Sequence, residues 1–526
     1  MIEDTYGGRI ALGVDVGTST CQAYLHVGDT RRMLFVEGAG QQDYFPSAIL
    51  EVPGGTRMYG FSALLNAQQN REAVLHQSFK AFMKADPPLE RVYTVAEAAD
   101  LFQDMAQHFL SQLMPELQRI ASSWTGKTRL DVSFTLPGGW SQDPLLTQTY
   151  HRVIYDLERA LRAKLRVAGF DVFAYLVEEP VAALLGIESM YLPLPIDEPI
   201  LVIDAGGGTL DAAVCVATRD IKRGVLRYTI PFAASIGVAG ETLFEAFVKE
   251  LQRSNSVTPP IPRRWRSDAR MRAALRKLFQ AYSLAAVDTY RDELSNGEDR
   301  FKVAFQPKDL EAKLIDTKHF RKIGKFIEGL LTQYNKITGA NREKWGASYL
   351  VGGLGRYPLF KKTIQAVLPD CQPAPNPQEI IAMGAVSHAQ KGGTQIHQRA
   401  CPYHLGQQVQ DLTAGKLVWS LLVRQGELIS SSTAGERTYI GDSHVQFDSQ
   451  GFKAAFGWTR SEDVEDTELI IAEHIISFRE FNGQIRMLRA GDPLQTRVRF
   501  DDKLQIEIEV VHQPSGLTWS TAGLRW

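Results

Sequence analysis

Asp204-Ala-Gly-Gly-Gly-Thr-Leu-Asp211 sets three consecutive glycines directly behind the apolar run Ile200-Leu-Val-Ile203. Such a run costs chain entropy that an ordinary strand end does not need, so something is expected to lie against that backbone. Working outward, the strand turns through Gly206, Gly207, Gly208 and Thr209 and resumes as Leu210 to Ala217. The same design occurs much earlier, where Ile10-Ala-Leu-Gly-Val-Asp15 pauses at Gly17-Thr18-Ser19 and resumes in Cys21 to Val27. Glycine admits close approach, successive N–H groups with hydroxyls form an anion nest, and a strand-end Asp can hold hydrated magnesium. Two such units predict an internally duplicated α/β fold, each half giving one phosphate loop to a shared cleft.

The chain has 526 residues, room for two to four units at roughly 100–200 residues per domain. Its 44% hydrophobic and 22% charged residues are those of a globular protein. A net charge of −2 and a pI of about 6.6 give no general pull toward nucleic acid or membrane. Met1 to Arg9 lacks the basic and apolar regions of a secretory signal, and no apolar run is long enough to span a bilayer, so a cytoplasmic location is expected. Cys21, Cys215, Cys371 and Cys401 have no C-x-x-C spacing and are expected as reduced core thiols.

Helical periodicity covers residues 96–121 and 145–168, with a buried strand at 130–137 between them. Residues 265–295 and 309–338 are also expected to be helical. Residues 347–354 form a strand ending in Gly352-Gly353 before a helix that Pro358 can start. After Ala389, Lys391-Gly-Gly-Thr394 is expected as a flexible spacer, and short β runs follow at 417–423, 468–478, 496–500 and 504–511. The expected division is a nucleotide domain over 1–390 (lobes at about 1–198 and 199–375, with a return to the first at 376–390), a linker at 391–400 and a β-rich domain over 401–526. His397, Cys401 and His404 lack a fourth ligand nearby and are left out as a metal site. The basic stretch from Arg263 to Lys277 is taken as a solvated helix face, and nucleic acid is not expected as a partner.

Five segments, in order, resemble the motifs of the actin-like ATPase superfamily over roughly residues 9–390. They are the two loops, Glu178-Glu179-Pro180-Val181-Ala182-Ala183, Val351-Gly-Gly-Leu-Gly-Arg356-Tyr-Pro358, and Gln378-Glu-Ile-Ile-Ala-Met-Gly384-Ala385. Within it, G-G-G-T-x-D, E-P-x-A-A, Phe45-Pro46-Ser47 and Thr135-Leu136-Pro137 are most similar to the 70-kDa heat-shock (DnaK-type) chaperones. The resemblance implies an actin-like, ribonuclease H-like duplicated-lobe α/β ATPase domain followed by a mainly-β domain, using ATP/ADP and Mg2+. It makes Asp15 and Asp204 the magnesium-water carboxylates, Glu179 the residue that orients the attacking water, and Thr18 and Thr209 phosphate contacts. Gly17, Ser19, Gly206, Gly207, Gly208 and Gly240 would complete the phosphate surroundings, and Gly352, Gly353, Arg356 and Gln378 the nucleoside end. Phosphoryl transfer also needs a cation; Lys80 is the candidate, with Lys84 one turn away.

Gln378 stands where the pattern has Asp, Leu354-Gly355 where it has two hydroxyl residues, and the helix around Arg270 to Ser283 matches only loosely. These departures resemble the divergent subfamily 12. The segment 391–400 lacks the family's apolar-acidic linker, and the chain ends where a helical lid would begin, which implies weak retention of a bound protein segment. The expected function is slow ATP hydrolysis coupled to a protein client or partner held by the β domain, with cochaperones as further implied partners and no membrane partner. A non-hydrolysing nucleotide scaffold and a sugar-type kinase are the rivals.

Overall fold

The computed structural model describes residues 8–524, except 35–43, 84–92, 139–143, 431–438, 460–469, 478–491, 501–505 and shorter gaps of one to four residues. Gly8–Val16 pairs antiparallel with Thr20–Val27 and parallel with Thr128–Leu136, which pairs parallel with Phe170–Glu178. The first and third of these strands are almost wholly buried, as parallel strands covered on both faces must be. The sheet order is Thr30–Met33, Thr20–Val27, Gly8–Val16, Thr128–Leu136, Phe170–Glu178. The second half repeats it as Val225–Ile236, Leu210–Asp220, Pro199–Ala205, Ala347–Val351, Gln372–Pro373, with the hairpins again antiparallel and the central neighbour again parallel. The result is a mixed α/β architecture with several sheets, compatible with an actin-like ATPase followed by a β domain.

Helix Val95–Ala121 begins at a capping box in which the Glu97 N–H donates to Thr94 Oγ1 (3.2 Å) and the Thr94 N–H to Glu97 Oε2 (2.8 Å). Its stripe of Leu101, Phe102, Met105, Phe109 and Leu113 is buried on the first sheet's core. Two shorter helices, Glu179–Ser189 and Ile380–Gln390, cross between the sheets. A Cβ on Gly384 would lie 1.5 Å from the Ala182 carbonyl oxygen, and one on Gly186 2.2 Å from that of Ile380. The small residues of both connecting motifs therefore let the two backbones touch.

A three-stranded satellite sheet, ordered Arg57–Tyr59, Ala48–Glu51, Val74–Gln77, runs straight into the turn Phe79–Phe82 that carries Lys80. The helix expected over 265–295 is shorter, Ala269–Leu284. Tyr290–Ser295 is instead a strand paired with Arg300–Phe305, whose burial alternates with period two. The signal missed was turn chemistry: Asn296 Oδ1 accepts from the Asp299 N–H at 2.7 Å and folds the hairpin. The helix expected over 309–338 breaks at Asp316-Thr317 into Pro307–Ile315 and Lys318–Thr338.

Residues expected as a spacer are partly structured. Ile396–Ala400 forms a strand parallel to Val225–Ile236 and is itself paired with Leu428–Ser430. Beyond it lie five- and four-stranded sheets, including Lys416–Val423, Ile470–Ser477, Pro493–Phe500 and Ile506–His512. Among the described residues no helix is long and apolar enough to cross a membrane.

Candidate functional site

The two glycine turns close in the same way. The Gly17 N–H donates to the Thr20 carbonyl at 2.9 Å, and the Gly206 N–H to the Thr209 carbonyl at 3.1 Å. In register, Asp15 faces Gln22 and Asp204 faces Asp211. Duplication thus makes Thr20, rather than Thr18, the backbone equivalent of Thr209. The turns meet across the cleft: a Cβ on Gly207 would lie 2.5 Å from Ser19 Oγ, and one on Gly208 3.0 Å from Thr18 Oγ1. Glycines are needed at 207 and 208 because side chains there would run into Ser19 and Thr18 of the first turn.

Between the turns is a buried set of charges. Lys80 Nζ donates to the Val16 carbonyl at 2.6 Å and to Glu179 Oε1 at 2.8 Å, with its side chain 3% exposed. Lys84 and Gln378 lie outside the described residues. Thr135 donates to Asp15 Oδ1 at 2.7 Å, and Thr209 donates to Asp211. Burial raises Asp15, opposed by Lys80 and the Thr135 hydroxyl. Burial likewise raises Glu179 to about 7, with Lys80 opposing and Asp15 and Asp211 reinforcing. Asp204 is raised well above the usual range by burial and then by the Glu179, Asp211 and Asp15 carboxylates.

Four carboxyl groups around one ammonium leave the cleft short of positive charge. Asp204 Oδ1 is buried with no hydrogen-bond partner among the described residues. The donor set therefore fits a divalent cation. Among the described residues no three His, Cys, Asp or Glu side chains converge as a direct metal cage.

Gly352, expected near a nucleoside, has φ 84°, and a Cβ there would lie 2.3 Å from Asp204 Oδ1. The turn Gly353–Arg356 follows it, and the Arg356 side chain is exposed. The Gly240 N–H donates to the Gly206 carbonyl at 3.1 Å, and the Glu241 N–H to that of Gly207 at 2.8 Å, tying the next helix to the second turn. Sequence reasoning missed Glu241. It is buried and held by Arg276 and, at 3.0 Å, by Arg272. Those arginines were expected on a solvated face; instead they are half-buried against Glu241, with Arg276 over the Phe244 ring at 4.9 Å. Asp211 and Thr135 were legible as parts of quoted motifs, whereas Glu241 carried no signal by itself.

The likeness among known proteins is to a DnaK chaperone. The chain is 23% identical over 401 residues to the chaperone protein dnaK1 of Nostoc sp. (strain PCC 7120 / SAG 25.82 / UTEX 2576). The match covers 72% of this chain and 54% of that protein, so the chain spans about half the length of the curated relative it matches. No family model matches. The match suggests a distant relationship with the 70-kDa heat-shock proteins.

Proposed function

We propose that the chain binds ATP or ADP with Mg2+ between the Gly17–Ser19 and Gly206–Thr209 turns, hydrolyses ATP slowly, and couples its nucleotide state to a protein partner. The observation that carries this is the facing of two equivalent Gly/Thr turns over a buried Asp15–Lys80–Glu179–Asp204 set. Backbone N–H groups of both turns, with Thr18 and Thr209, bind phosphate oxygens. Asp15 and Asp204 hold the magnesium waters, and the ion when bound neutralises charge on the transferring phosphoryl group. Glu179 orients the attacking water. Lys80, held against Val16, supplies the protein's own cation at the phosphate end.

Support for coupling comes from the segment leading out of the cleft. Arg399, on the strand added to the second sheet, pairs with the buried Glu178, which precedes Glu179. Lys391 reaches Glu188 at the other end of the Glu179 helix, 3.4 Å away. Displacing this segment would therefore disturb the helix that begins with Glu179. The partner is taken to be a protein segment bound by the β-rich region. Asp204→Ala and Glu179→Ala should each abolish hydrolysis while leaving the circular dichroism spectrum unchanged. Undiminished turnover in both would refute the proposal.

A further inference from the structure

Phe45-Pro46-Ser47 belongs neither to the phosphate turns nor to the carboxylate set, yet Ser47 reaches the first turn twice. Its N–H donates to the Ser19 carbonyl at 2.9 Å, and its hydroxyl donates to the Gly17 carbonyl at 2.8 Å. Beneath it Cys21 Sγ lies 3.3 Å from the same hydroxyl, and Ser47 is 3% exposed. The turn itself is closed by the Gly17-to-Thr20 hydrogen bond at 2.9 Å, at the end of the ladder that pairs Val16 with Cys21.

Direction matters more than strength here. A trans peptide is planar, with its C=O and N–H on opposite sides. Turning the Gly17 carbonyl toward Ser47 turns the Thr18 N–H away from it, and fixing the Ser19 carbonyl does the same for the Thr20 N–H. We propose that Ser47 is a positioning residue that sets the donor direction of the first phosphate turn. It touches no phosphate itself, and this role rests on the nucleotide reading of the cleft. Its position also links the turn to Lys80. Ala48 pairs with Gln77 in the satellite sheet, so Ser47 and Ser78 continue the facing strands, and Lys80 follows two residues later. One end of the satellite sheet thereby delivers both the brace of the turn and the cation beside Glu179.

The test compares Ser47→Ala and Ser47→Thr with the wild type in two measurements. Amide hydrogen exchange of nucleotide-free protein should be about five- to tenfold faster at Gly17–Thr20 in Ser47→Ala, the loss of one buried hydrogen bond, and near wild type in Ser47→Thr. Titration with Mg·ATP should show binding weakened by a similar factor in Ser47→Ala and restored in Ser47→Thr. Wild-type exchange at Gly17–Thr20 in Ser47→Ala, or acceleration spread over the whole sheet, would overturn the role of Ser47. A wild-type protein that binds no Mg·ATP would instead sink the nucleotide reading, and the exchange comparison would still decide the brace.

Discussion

Replacing Lys80 by Met should destabilise the protein increasingly as the pH becomes alkaline. The substitution keeps the length of a side chain that is 3% exposed and removes the ammonium 2.8 Å from Glu179. Burial raises Glu179 from 4.5 to about 7, so between those values the folded state holds a proton that the unfolded chain has released. Stability must therefore fall as pH rises through that window. In the wild type the Glu179 contribution to this fall ends near 7, where Glu179 ionises against Lys80. In the variant the carboxyl has lost the ammonium that opposed the rise, stays protonated, and goes on losing stability at about 1.36 kcal/mol per pH unit. Through Glu179, the difference between the two proteins should be about 2 kcal/mol larger at about pH 8.5 than at about pH 6. Urea midpoints at the two pH values, in low salt without magnesium and with slopes compared, measure it. An equal difference at both would show that Lys80 matters for packing and does not balance Glu179.

Two further outcomes follow from the same geometry. Because Asp15, Glu179 and Asp204 are all raised, Mg·ATP should bind with proton release and more tightly at about pH 8 than at about pH 6, as calorimetry in two buffers of different ionisation enthalpy would show. Gly384→Ala, whose Cβ would lie 1.5 Å from the Ala182 carbonyl oxygen, should cost more than about 3 kcal/mol. Gly324→Ala, in a helix with nothing within 4 Å of the new Cβ, should stabilise by about 0.5–1 kcal/mol in the same thermal scan.

The parts legible in the sequence were those where local chemistry has one solution. Glycine runs behind apolar strands marked both turns, and the 3.6 period marked Val95–Ala121. Residues 290–295 went wrong because Tyr-Arg-Asp-Glu-Leu-Ser carries no strong periodicity, and the hairpin depends on an Asn296 turn and a partner strand. Glu241, Arg272 and Arg276 could not be read as a unit because they lie on two helices far apart in sequence, and each alone resembles a surface charge. The strand at Ile396–Ala400, inside the expected 391–400 linker, has no local signal for a related reason. Its glycine-flanked composition describes the turn at Gly392-Gly393 correctly, both with positive φ, but says nothing of the open sheet edge at Val225–Ile236 that takes up the next residues.

That edge explains why a segment poor in aliphatic residues can still dock. Main-chain hydrogen bonds to an exposed strand do not depend on side-chain identity, so register must come from a few side chains. Ile396 is buried opposite Tyr228, and Arg399 lies opposite Ile230 with its guanidinium on Glu178, whose own side chain has no exposure. A buried carboxylate is costly to leave without its cation, whereas a lost apolar contact costs only its area. An ion pair at this point therefore makes docking of the segment steeply sensitive to anything that perturbs Glu178. The group nearest to it along the chain is Glu179, which faces Lys80 and the two turns. The carboxylate that faces the cleft and the carboxylate that seats the outgoing strand are one peptide bond apart, at the same helix start, and that adjacency is the physical route by which the proposed nucleotide state would act on the proposed partner.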